Sequence, residues 1–124
     1  TQSKEAPGDL AVVRAFVNTR EIDEGLDHIS DPDHVAEWLV QHGLLEESVT
    51  VRPADVRRVT RFREALRELL LSNNDGHSMP IDAGRVLNDV AARARLRLRM
   101  DAGGHARLEA EGKTVDAALG RLLA

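Results

Sequence analysis

Apolar side chains recur along this chain with two periods, a helical one up to residue 94 and an alternating one immediately after it. Leu10, Val13, Phe16, Val17 and Arg20 share one helical face, which predicts a helix over residues 10–19 and puts Arg20 on the same stripe as the core. Asn18 and Thr19 are short polar side chains suited to a helix end, and Asn18 is expected to hydrogen-bond the backbone there. Residues 21–28 show no sustained period and contain Glu21, Asp23, Glu24 and Asp27, so they read as an acidic loop. At Asp31-Pro32-Asp33 an aspartate cap, a first-turn proline and a further acid at the positive helix end begin a second helix, expected from Pro32 to His42. Gly43 should stop it, with Leu44 making the apolar contact of a glycine-terminated helix. Val35, Trp38, Leu39 and His42 form its inner face, and His42 reads as a packed or capping residue.

The longest periodic run, residues 53–72, predicts a central helix with the stripe Val56, Val59, Phe62, Leu66, Leu69 and Leu70, and with Arg57, Arg58, Arg61 and Glu68 turned outward. Arg63 falls inside that stripe. Its guanidinium must snorkel past its neighbours or find a carboxylate or carbonyl, because an unpaired buried charge costs on the order of several kcal/mol. Turn residues Asn73 to Gly76 end the run, and a fourth helix over 81–94 follows, with Ala83, Val86, Leu87, Val90 and Ala94 inward. From there Leu96, Leu98 and Met100 alternate with arginines, and Ala106, Leu108 and Ala110 alternate with Arg107, Glu109 and Glu111. A turn at 102–104 makes this a β-hairpin, with Met100 opposite Ala106, Leu98 opposite Leu108, Arg97 opposite Glu109 and Arg95 opposite Glu111. Thr114 caps a last helix bearing Val115, Ala118, Leu119 and Leu122, a pattern still running at Ala124, as in a chain that continues. The expected fold is α+β, about five helices packed with one antiparallel β-hairpin near the C-terminus. It forms a single domain over 9–124 behind a disordered lead-in of 1–8.

Composition narrows the chemistry. A length of 124 residues with 42% hydrophobic and 31% charged residues suits one globular domain, and no apolar run reaches the roughly 20 residues of a membrane span. The chain lacks cysteine, which removes thiolate metal sites and disulfides, and no secretory leader is legible at its start, so a cytoplasmic location is expected. A net charge of -4 opposes nucleic-acid binding by the domain as a whole. Arg95, Arg97 and Arg99 could touch phosphates, but the strand has no stacking aromatic and two of the three have acidic partners in the hairpin register. His34 and Glu37 share a helix face near Asp31 without a further ligand to complete a metal site. No glycine-rich phosphate loop, nucleophile elbow or positioned carboxylate pair is present, so no catalytic residue is expected. Arg20 and Arg63 stand out instead: if their helices pack together, two guanidiniums share a region and need anions, from the acidic stretch 21–27 or from a small acidic ligand.

The order of Asp9-Leu10 through Phe16-Val17-Asn18-Thr19-Arg20, then Leu26-Asp27, Trp38-Leu39 followed by Gly43-Leu44-Leu45, Leu66 within Arg63-Glu64-Ala65-Leu66-Arg67, and Leu87-Asn88 before a hairpin resembles the ABATE domain. That domain is the N-terminal half of bacterial CGNR zinc-finger proteins, which are assigned to stress-induced transcription regulation. The resemblance covers residues 9–124 and implies a two-part regulator whose DNA-binding zinc finger follows the domain. With no cysteine this chain holds neither the zinc ligands nor the Cys-Gly-Asn-Arg motif, so DNA contact and zinc belong to a finger absent from it, and no cofactor is expected here. The resulting expectation is a non-enzymatic sensory or interaction domain, with Arg20, Arg63, Asn18 and Trp38 as candidate ligand-binding residues. A dimerisation scaffold without ligand is the alternative, and a small-metabolite enzyme a third. The expected partners are a small acidic ligand or a second copy in a homodimer, without contact to a membrane.

Overall fold

The helical stripes converge on Phe16 and Phe62 in the computed structural model, which describes residues 10–75, 80–110 and 112–123. Its helices are α1 (Leu10–Val17), α2 (Pro32–Gln41), α3 (Pro53–Asp75), α4 (Ile81–Ala94) and α5 (Val115–Leu123). Two antiparallel pairs complete it, β1 (Arg20–Glu21) with β2 (Leu26–Asp27) and β3 (Leu96–Met100) with β4 (Ala106–Ala110). This is the helix-rich α+β fold expected, with a second small hairpin added.

α3 is the central element and touches α1, α2, α4 and α5. The Phe16 ring lies 5.8 Å from Phe62 and 5.4 Å from Trp38, both tilted, the spacing at which aromatic quadrupoles attract. Val35 and Leu39 from α2, Val59 and Leu66 from α3, and Leu119 and Leu122 from α5 close around them. Full burial of each such side chain contributes about 1.5–3 kcal/mol before entropy is counted. Trp38 is half-buried rather than central: it lies against the core and stacks on His42 at 3.8 Å, so Val35 and Leu39 carry the burial of α2.

The helix ends follow their local chemistry. Asp31 accepts the His34 N–H and Thr114 accepts the Ala117 N–H, satisfying donors that each helix start leaves orphaned. At the end of α2 Gly43 takes φ +71°, the Leu44 N–H bonds the Leu39 carbonyl, and Leu44 is fully buried, as expected of a glycine-terminated helix. His42 also bonds the Trp38 carbonyl through Nδ1.

The structure corrects several expectations. α1 stops at Val17, two residues early. Asn18 is exposed and bonds the backbone through its own N–H, to the Arg14 carbonyl at 2.9 Å, while a side-chain bond at the helix end comes from Thr19, its hydroxyl donating to the Phe16 carbonyl at 2.6 Å. The acidic loop is a hairpin: Arg20 pairs with Asp27 and Glu21 with Leu26 around a turn in which Gly25 has φ +69°. Strands of two residues are too short for alternation to register, and tertiary bonds hold them. α3 runs through Asn73 to Asp75. Arg58 is half-buried and ion-paired with Asp55 and Asp116. Arg95 adopts a left-handed conformation (φ 54°, ψ 55°) and ends α4, so β3 begins at Leu96; the expected pairing of Arg95 with Glu111 falls on a residue outside the described ones. The lead-in 1–8, the Asp9 cap, Gly76, Glu111 and Ala124 lie outside the described residues.

The β3–β4 register is the expected one, Arg97 facing Glu109 and Leu98 facing Leu108. The base of the hairpin is held by Leu96, Ala94, Ala110 and Ala117, with α5 approaching closely at Gly120. A Cβ on Gly120 would lie 2.3 Å from the Ala94 Cβ, a methyl with no torsion that could move it away. Alanine gains up to about 1 kcal/mol in helix propensity, whereas overpacking costs about 1–3 kcal/mol and here involves backbone-fixed atoms on both sides. Gly120→Ala should therefore lose about 2 kcal/mol in urea unfolding, while Gly25→Ala, which meets no atom within 4 Å, should lose only the cost of its positive φ.

Candidate functional site

Polar groups of α3 face the α1–β1–β2 segment across a buried seam. Arg63 is 2% exposed, and its guanidinium is fully engaged: Nη1 and Nη2 donate to the two Asp27 oxygens at 2.8 and 2.9 Å, and Nε donates to Glu64 at 2.9 Å. Nη1 also approaches the Thr19 hydroxyl at 3.4 Å. Asp27 Oδ1 accepts the Ile29 N–H at 3.1 Å, so one carboxylate binds the buried cation and shapes its own turn. One turn further along α3, Arg67 donates to the Val17 carbonyl at 2.9 Å and to the Arg20 carbonyl at 3.2 Å, satisfying the open end of α1. Burial works against the Arg63 charge, but its bonds to Asp27 and Glu64 outweigh that and hold its pKa above the ordinary arginine value. The same bidentate contact, helped by the Ile29 N–H and the nearby Arg20, holds Asp27 below the usual carboxylate range.

Above this seam an open groove of about 740 Å³ runs between α3 and the start of α4. Arg63, Glu64 and Asp27 form part of its floor, and Arg57, Arg61 and Asp82 stand on its walls. Arg57 and Arg61 are exposed. A second cleft of about 540 Å³ lies beyond Arg61, where Arg58 Nε and Asp116 Oδ1 face each other at 3.3 Å, both shielded from solvent and too poorly aligned to hydrogen-bond. A third depression, over the β1–β2 turn, is bordered by Asn18, Arg20 and Arg67.

The four residues singled out from the sequence therefore do not meet in one place. Arg20 and Arg63 both border the groove, and Arg20 reaches Glu64 at 3.6 Å. Asn18 lies beside the turn depression, and Trp38 packs against Phe16 and His42 on α2. Thr19, Asp27 and Arg67 complete the polar seam, and the one available signal for Arg67 was its place four residues after Arg63 on the same helix face. His34 bonds Asp31 at 2.6 Å, and that bond raises its pKa. Among the described residues no group of three or more His, Asp or Glu could hold a metal ion, and no helix is long and apolar enough to cross a membrane.

The chain is thus a helix-rich α+β domain with a buried arginine seam under an open charged groove. The family model for ABATE, described as "Putative stress-induced transcription regulator", matches residues 10–124, and the chain belongs to that family. No curated protein and no solved structure matches it significantly.

Loss of the Asp27 charge leaves Arg63 buried with Glu64 alone. Breaking a buried pair costs about 3–5 kcal/mol, and since Asp27 is 30% exposed and Glu64 remains, Asp27→Asn should lose about 2–3 kcal/mol. Arg63→Met removes the buried charge itself and should cost less. Because the folded-state pKa of Asp27 is depressed, its contribution is present above the unfolded value of about 4 and is lost as pH falls through the folded one. Urea midpoints measured from about pH 7 to about pH 2 should fall on the acid side for the wild type, with a shallower fall in Asp27→Asn.

Proposed function

We propose that this domain is the non-enzymatic sensory or interaction half of a transcription regulator, and that it binds a small anionic compound in the groove between α3 and α4. The observation that carries the reading is a division of labour among arginines. Arg63, one of four candidate ligand-binding residues in the sequence, has its charge met internally by Asp27 and Glu64, whereas Arg57 and Arg61 stand exposed on the groove walls. A carboxylate or phosphate entering the groove would meet those two guanidiniums with Arg20 at the rim, and fork-shaped donors suit both groups. Binding there would press α4 toward α3 and so change how the α4–hairpin–α5 side is presented to an attached DNA-binding finger. Zinc and DNA contact would belong to that finger, and the setting is the bacterial cytoplasm. Membership of a transcription-regulator family supports the regulatory part of this reading.

Thermal-shift measurements against panels of carboxylates, phosphates and neutral metabolites test it. Acidic compounds alone should raise the midpoint, by several degrees at saturating concentration, since a ligand at about 100 times its Kd adds about 2.7 kcal/mol. Arg57→Ala with Arg61→Ala should abolish the shift while leaving the unliganded midpoint nearly unchanged. No response to any anion, or a response that survives both substitutions, would overturn the reading, and turnover of a hit would restore the enzyme alternative.

A further inference from the structure

The β3–β4 hairpin extends past the helices that hold its base. Leu96 and Ala110 are covered by α4 and α5, yet on the same face Leu98 is 65%, Met100 61% and Leu108 46% exposed. Scattered apolar residues on a surface need no explanation, but these three are neighbours in the ladder and form one patch. Both long edges of the pair are open among the described residues, because the sheet has two strands. An open edge beside an apolar face is a template for another strand.

Hydrogen-bond alternation fixes which groups that edge offers. The Asp101 N–H bonds the His105 carbonyl, so in this register 99/107 and 97/109 are the mutually bonded pairs. The N–H and C=O groups of Ala106 and Leu108 therefore point away from β3. The charges decide between the two edges. On β3 the side chains beside Leu98 are Arg97 and Arg99, so two copies paired about Leu98 would set arginine against arginine. On β4 the side chains beside Leu108 are Arg107 and Glu109, and an antiparallel pairing about Leu108 puts each Arg107 opposite the second copy's Glu109.

We propose that β4 is a self-complementary dimerisation edge, joining two copies of this chain about a two-fold axis at Leu108 into one four-stranded sheet. In that register Leu108 meets its own copy as a mutually bonded pair and Ala106 lies opposite Ala110, so the exposed tip of each hairpin comes beside the α5-covered base of the other. The exposed patch is then shared between the copies. One strand edge and three apolar side chains per copy fall at the small end of specific interfaces, so the dimer is a weak, reversible one. This inference uses none of the groove residues and stands or falls apart from ligand binding.

Arg107→Glu separates association from folding. Within one chain Arg107 faces Arg99 across the ladder and pairs with Glu109 at 2.9 Å, so the substitution exchanges the exposed pair with Glu109 for one with Arg99 and leaves the hairpin little changed. Between copies it does the reverse, setting two carboxylates opposite each other where Arg107 had met the second copy's Glu109. Sedimentation equilibrium should show concentration-dependent dimerisation of the wild type, weakened roughly tenfold or more in Arg107→Glu, with a thermal midpoint close to that of the wild type. Hydrogen exchange at the Leu108 amide, which faces the outer edge, should slow as wild-type concentration rises and stay fast in the variant. A wild type monomeric at all concentrations, a dimer as tight in Arg107→Glu as in the wild type, or a Leu108 amide unchanged on association would each overturn the proposal.

Discussion

A guanidinium in the core of a small domain constrains everything packed around it. Arg63 occupies a position on α3 that its neighbours Val59 and Leu66 assign to the interior, so folding must supply its anion. Asp27 supplies it, and to do so the chain after α1 must reverse within a few residues and return under α3. That requirement accounts for the β1–β2 hairpin better than any strand propensity of its four paired residues. Arg67 reinforces the same attachment through the carbonyls of Val17 and Arg20, and Thr19 bridges the end of α1 to the guanidinium. α1, the hairpin and α3 therefore form one mechanical unit, joined by charge-assisted bonds where an apolar contact would have sufficed for burial.

The opposite side of the domain depends on smallness rather than charge. Ala94, Ala110, Ala117 and Gly120 let α4, β4 and α5 approach until side-chain volume is nearly absent, and this close contact grips the base of the long hairpin. Arg121 adds to it by donating to the carbonyls of Leu44 and Gly112, tying α5 both to the link after α2 and to the turn after β4. The two sides meet along α3, whose outward arginines border the groove between it and α4. The groove therefore marks the boundary between a face locked by an ion pair and another clamped by small residues.

Much of the architecture was legible in the residue order. Apolar spacing located all five helices, the Asp31 and Thr114 caps and the Gly43 stop were read from local chemistry, and one alternating stretch fixed the β3–β4 register because slipping it by a residue would have broken both its apolar and its charge pattern. The family was legible as well, from the order of short motifs spread over the chain, and the family model matches the same span. The β1–β2 pair was not, since two residues per strand carry no period. Nor was the left-handed turn at Arg95, where a non-glycine residue adopts an uncommon conformation to join α4 to β3.

The candidate site divides along the same line. Sequence by itself determined that Arg63 falls on the interior stripe and must either snorkel or be paired, because helical periodicity places a residue inside or outside without reference to the rest of the chain. Which partner neutralised it, and which arginines were left facing the groove, only the tertiary structure decided. Asp27 and Arg63 lie 36 positions apart and meet only because the segment after α1 folds back onto α3. Charge pairing is a property of distance in space, and a one-dimensional pattern carries that distance only within a single helix or hairpin.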